Sequence, residues 1–144
     1  MYINAYEFEL TRADGDVVPV SLRLSVRGQM ALKKKFNEST TDTLFGAIDD
    51  IDRFVAVMGQ ALDYNGNKNT IKDGIDLVDL MAENGMLGMA EKQSIITSIG
   101  AASGIFSARE KDAIDGRANA VFGAAFGSDD EGNGKNSKND RKSR

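Results

Sequence analysis

The sequence predicts an α+β fold that is mostly α: a helical bundle of about five helices with an N-terminal β-hairpin and a disordered C-terminal tail. Three observations carry that expectation. Residues 2–10 and 17–26 alternate polar and apolar side chains on either side of an Asp-Gly turn. Between residues 27 and 126, apolar side chains recur at spacings of three and four, the period that draws one stripe along a helix. From Gly127 onward, GSDDEGNGKNSKNDRKSR holds no apolar residue larger than glycine and can bury nothing. The expected organisation is one domain over residues 1–126 and a charged, disordered tail over 127–144.

In the hairpin, Tyr2, Asn4, Tyr6, Phe8 and Leu10 share one face of the first strand, and Val18, Val20, Leu22, Leu24 and Val26 share one face of the second. Ala13-Asp14-Gly15-Asp16 supplies the turn, because Asp-Gly tolerates the positive φ angles of tight hairpins. Pro19 lacks a backbone donor and suits an edge. Two strands alone are marginal in water, so the hairpin must pack on helices or pair with another copy.

A short helix is expected near Arg27 to Asn37, with Met30, Leu32 and Phe36 apolar. Lys33-Lys34-Lys35 reads as its solvated end, with a phosphate-binding patch as the alternative.

The longest expected helix runs from Thr40 to Leu62. Leu44, Ile48, Ile51, Val55, Met58 and Leu62 form its stripe, widened by Ala47, Phe54 and Ala61. Thr40, Thr41 and Asp42 can each cap it. On this reading Ile51 and Val55 lie in the core, where an aspartate would unfold the domain.

The polar loop Asp63 to Asn69 begins like a calcium-binding loop, with Asp63, Asn65 and Asn67 at the first three ligand positions. Lys68 then stands where glycine is needed and Gly74 where a bidentate glutamate is needed, so the residues favour a plain Asn/Gly turn.

Three more helices complete the expectation. Thr70 caps one over Ile71 to Glu83, with Ile71, Ile75, Val78 and Ala82 inward, Leu77 and Met81 beside them, and Asn84-Gly85 as its stop. The next spans Met89 to Ser103, buries Ile95, Ile96, Ile99 and Ala102, and halts at Gly104. Ser107 to Glu110 form a capping box opening the last, which runs to about Phe126 through Ile114, Ala118, Val121, Phe122 and Ala125.

Composition excludes whole classes of chemistry. The chain of 144 residues has no Cys, His or Trp, so disulfides, Cys/His zinc sites and histidine-based catalytic triads are impossible. Net charge is −4, and the tail's five basic and four acidic groups leave residues 1–126 at −5, which argues against a nucleic-acid surface. The alternating N-terminus is unlike a signal peptide, and no run approaches membrane-spanning length. Asp49, Asp50 and Asp52 cluster on the long helix, and Asp73, Asp76 and Asp79 recur at intervals of three; paired carboxylates can do acid–base work or hold a metal. They alternate with apolar residues as solvated faces do, and Asp49 to Arg53 is an ordinary helix pair. No catalytic, cofactor-binding or metal residue is assigned, and the expectation is a non-enzyme. Met30, Met58, Met81, Met86 and Met89 serve as core filler or as an adaptable binding surface.

In order, the hairpin, the Lys-rich first helix, LFGAIDDIDRFVAVMGQAL, the IDLVDLMAENGM segment and the helix ending in AASGIF resemble the tail assembly chaperones of long-tailed phages that infect Gram-positive bacteria. That resemblance spans much of residues 1–126. It implies a cytoplasmic, cofactor-free protein of the infected host that coats the tape measure protein and helps recruit tail tube subunits. It also implies a longer product made by ribosomal frameshifting near the end of the short frame. Gly134-Lys135-Asn136 and Ser137-Lys138-Asn139 can each be encoded with the heptamer A-AAA-AAC, on which a ribosome can slip. A helical calcium- or metal-binding protein built on the acidic positions is the alternative.

Overall fold

The structure is a computed structural model that describes residues 4–107 and 109–116. Its elements run β1 (Tyr6–Thr11), β2 (Val17–Leu22), α1 (Val26–Phe36), α2 (Thr40–Gly46), α3 (Ile51–Leu62), α4 (Gly74–Glu83) and α5 (Met89–Ala102). A sixth helical segment covers residues 109–116. The α+β, mostly α expectation holds. The expected helix beyond residue 116, its side chains from Ala118 to Ala125, and the tail over 127–144 lie outside the described residues.

β1 and β2 pair antiparallel, Tyr6 opposite Leu22 and Thr11 opposite Val17. Gly15 turns the chain at φ 94°, as its Asp-Gly context requires. Leu10, Val18, Val20 and Leu22 are buried, and Tyr6 and Phe8 half-buried. The strands are shorter than the alternation suggested. Leu24 is buried beyond the strand, whereas Val26 opens α1 and faces outward.

α3 is the centre of the core. It packs against α4, α1, α2 and β2, while α5 touches α2 and β1. Phe54, Val57, Met58, Ala61 and Leu62 of α3 are buried. Gly59 and Gly74 let α3 and α4 approach backbone to backbone. A methyl group on Gly74 would stand 2.8 Å from the Gly59 nitrogen and closer still to the Val55 carbonyl oxygen.

The single helix expected over Thr40–Leu62 is two helices. Residues 47–49 form a turn, and Asp50, extended at φ −123° and ψ 109°, caps a new helix by accepting the Asp52 N–H. Asp49 and Asp50 favour such caps because their side chains compete for backbone donors. The break rotates the apolar stripe. Ile51 becomes a first-turn residue and is 52% exposed, Val55 is half-buried, and Val57 takes the inward place.

α4 also starts later than expected, at Gly74 rather than Ile71, because the Asp73 carboxylate, not Thr70, accepts an N–H, that of Ile75. Ile71 is buried from the loop, Ile75 and Ala82 face outward, and Leu77, Val78, Leu80 and Met81 fill the core. Met30 faces outward from α1, whose inward residues are Gly28 and Leu32.

The remaining punctuation follows the residues. Asn37 ends α1 in the left-handed region, and Gly85 and Gly104 take positive φ after α4 and α5. Ser107 and Glu110 exchange the two hydrogen bonds of a capping box at 3.0 and 2.8 Å.

Candidate functional site

Two asparagines do what a third strand would do. The Asn69 side-chain carbonyl accepts the Ser21 N–H at 2.7 Å, and its amide donates to the carbonyls of Ser21 at 2.7 Å and Leu62 at 3.2 Å. Asn84 treats Thr11 in the same way, both bonds at 3.0 Å, and also reaches the Leu80 carbonyl. Asn69 therefore closes the outer edge of β2, where Pro19 has no donor, and Asn84 closes β1 at its turn end. With Ser21 and Thr11 directed outward, the alternation of the ladder makes Glu7 and Glu9 the other outward positions of β1. Antiparallel pairing of β1 with its own copy would set those carboxylates against each other. The hairpin edge is thus poorly suited to the self-pairing expected from the sequence. Composition marked these asparagines only as turn formers; no local pattern distinguishes one that reaches back to a strand.

A second cluster ties the α1–α2 junction to α3. The Arg53 guanidinium donates to both Glu38 carboxylate oxygens, at 2.9 and 3.0 Å, and to Asp50. It also lies 4.8 Å from the Phe36 ring centroid, and Thr43 donates to Glu38 at 2.9 Å. Hydrogen bonds from Arg53 hold the carboxyls of Glu38 and Asp50 below their ordinary range, and the two carboxylates raise Arg53. Arg53 pairs with Glu38 and Asp50, not with the expected Asp49, because the break after α2 takes Asp49 off the helix. Every member has a partner, so the cluster is a structural latch.

A third group joins α5 to the sixth helical segment. Burial pushes the Asp115 carboxyl up, but hydrogen bonds from Lys111, Thr97 and Gln93 outweigh it and hold the group low. Thr97 is fully buried, a polar residue on a face that the isoleucine pattern marks as core.

The two acidic groups marked in the sequence come to different settings. Asp50 is committed to Arg53, while Asp49 and Asp52 face solvent. Asp73, Asp76 and Asp79 line an open groove of about 700 Å³ with Asp14 and Glu83, and Arg12 and Lys72 share it. Among the described residues, no group of three or more carboxylates is arranged to hold a metal ion.

Asp63, Asn65 and Asn67 line another cleft, of about 600 Å³, but Arg27 stands in it beside them. Asn67 is already engaged, donating to the Tyr64 carbonyl and accepting the Asn69 N–H. Lys33, Lys34 and Lys35 are exposed in the last turn of α1, where cations suit the helix dipole.

What the surface does offer is apolar. Val26 and Met30 on α1, Ile51 on α3, Ile75 on α4 and Met89 on α5 all stand exposed over a closed core. No helix among the described residues is long and apolar enough to cross a membrane. No protein-family model matches the chain, and no curated protein or solved structure is significantly similar to it.

Proposed function

We propose that this chain is a non-enzymatic phage tail assembly chaperone. It works in the host cytoplasm, binds the tape measure protein and assists recruitment of tail tube subunits through a longer, frameshifted form. One observation carries the reading: large aliphatic and methionine side chains stand on the outer faces of four helices whose inner faces are already satisfied. Such faces suit a client made of long helices with apolar stripes, held by helix-on-helix docking, and methionine adapts to stripes of differing shape. The latch, the asparagine clamps and the Thr97–Asp115 group are all internally paired, which fits a scaffold whose work is done by its surface.

Co-expression with the long helical protein encoded beside it tests the proposal. The expected result is a soluble complex that co-purifies, and a mass spectrum of the locus showing a second, longer product. A client that stays insoluble and unbound, from a locus that yields only the short chain, overturns it.

A further inference from the structure

Asn-Gly steps occur at 65–66, 84–85 and 133–134, and the last of these lies outside the described residues. At such a step the backbone nitrogen of the glycine can attack the preceding side-chain amide, because no Cβ blocks its approach. The fold treats the first two steps in opposite ways. Asn65 and Gly66 are exposed at the corner of a turn, which the Asn67 N–H closes on the Tyr64 carbonyl at 3.2 Å. Among the described residues, neither the Asn65 side chain nor the Gly66 N–H has a hydrogen-bond partner. Asn84 is held through its whole amide: the oxygen accepts the Thr11 N–H, and the nitrogen donates to the Thr11 and Leu80 carbonyls. The Gly85 N–H is engaged as well, donating to the Ala82 carbonyl at 3.1 Å.

We infer that Asn65 is a site of spontaneous deamidation and backbone isomerisation, and that the strand clamp spares Asn84 the same reaction. Hydroxide takes the proton of the Gly66 N–H, and the nitrogen attacks Cγ of Asn65. The N–Cγ bond forms, the Cγ–Nδ2 bond breaks, and the leaving nitrogen takes a proton from water to depart as ammonia. A succinimide ring remains, and water opens it. Addition at Cγ gives aspartate, whereas addition at the main-chain carbonyl carbon gives isoaspartate, whose backbone runs through Cβ and Cγ. One water is consumed and one ammonia released, with hydroxide regenerated. Either product places a carboxylate in the cleft that Asn65 shares with Asp63 and Arg27. Isoaspartate also lengthens the main chain by one atom inside the turn. Asn67 donates across that turn to the Tyr64 carbonyl and accepts the Asn69 N–H, so a longer turn displaces the mount of the clamp on Ser21. The modification thus weakens the hairpin edge without touching it. This holds whatever client the chain binds, so its test is separate from that of the proposed function.

Incubation of the full chain in mildly alkaline buffer, followed by tryptic peptide mapping, tests it. Residues 54–68 and 73–92 carry the two asparagines on separate peptides. The expected result is conversion at Asn65 about tenfold faster than at Asn84, because Asn84 reacts only after its clamp opens. A methyltransferase specific for isoaspartate should label the 54–68 peptide. In concentrated urea, where neither turn nor clamp survives, the two rates should converge. Chain enriched in isoaspartate at position 65 should unfold at a lower urea concentration than fresh chain. Equal native rates overturn the inference, and so does an Asn65 that stays intact in the folded chain while the unfolded chain converts. Rates that stay apart in urea would assign the difference to sequence neighbours and overturn the role of the clamp. An unfolding midpoint unmoved by isoaspartate would overturn the link from the turn to Asn69.

Discussion

The junction between the hairpin, α3 and α4 and the junction between α1, α2 and α3 are both crossed by side-chain hydrogen bonds, but they are made of different materials. The first is neutral and closely packed: Asn69 on Ser21 and Leu62, and Gly74 on Gly59 with no room for a side chain. The second is ionic and partly open to solvent, Arg53 between Glu38 and Asp50. A buried neutral clamp cannot be replaced by water, so its loss is costly at any pH. A solvent-reached ion pair is screened, and its contribution follows the protonation of its carboxylates.

Of the two junctions, the neutral one carries the larger expected effect. Gly74→Ala must push the α4 backbone away from Val55 and Gly59, since no flexible side chain is there to yield, and should cost about 3 kcal/mol in urea unfolding. A variant as stable as the parent would mean that the two helices do not touch there. Next is Asn69→Ala, which leaves a buried donor and two carbonyls without partners and should cost about 2 kcal/mol. That loss should be the same at acid and neutral pH, because nothing at the site titrates.

Glu38→Gln sharpens the contrast. The folded pKa values of Glu38 and Asp50 lie below their unfolded values, so the latch contributes fully above the ordinary carboxylate range and fades as pH falls through the depressed values. The gap in melting temperature between wild type and Glu38→Gln should therefore be present at neutral pH and shrink progressively as pH falls below the ordinary carboxylate range. A gap independent of pH would show that Arg53 is not acting through charge. The smallest effect belongs to Ile51→Asp. Ile51 is exposed in the first turn of α3, where an acidic group suits the dipole, and stability should change by no more than about 0.5 kcal/mol. Val57→Asp, two turns along and fully buried, should unfold the same domain.

That pair of substitutions marks where the sequence was legible. Among the described residues periodicity found the hairpin, α1, α4, α5 and the sixth helical segment, and cap chemistry placed Gly85, Gly104 and the Ser107–Glu110 box within a residue. It failed at Thr40–Leu62, because a continuous spacing of threes and fours gives no sign of a break when the interrupting residues are themselves polar. Asp49 and Asp50 fit the solvent face of one long helix as well as the cap of a second. Phase was lost with the break, which moved Ile51 outward and Val57 inward. At Ile75 the same error arose from a cap assigned three residues early. The clamps were illegible for another reason: Asn69 and Ser21 are 48 residues apart and Asn84 and Thr11 are 73 apart, so no local window contains the pair. Glu38 and Arg53, 15 residues apart across two helices, were missed likewise.

Those separations set an order of events during synthesis. The hairpin is complete after about twenty residues and its turn is local, yet the side chain that closes β2 is made 48 residues after Ser21, and the one that closes β1 73 residues after Thr11. At about 5–20 residues per second, a nascent chain carries an unstoppered β1 for roughly 4–15 s. In that interval the backbone groups at the turn end of β1 lack the partner that Asn84 supplies. Glu7 and Glu9 on that strand, and Pro19 on the other, are already in place before the asparagines arrive, and like charges and a missing donor disfavour edge pairing from the outset.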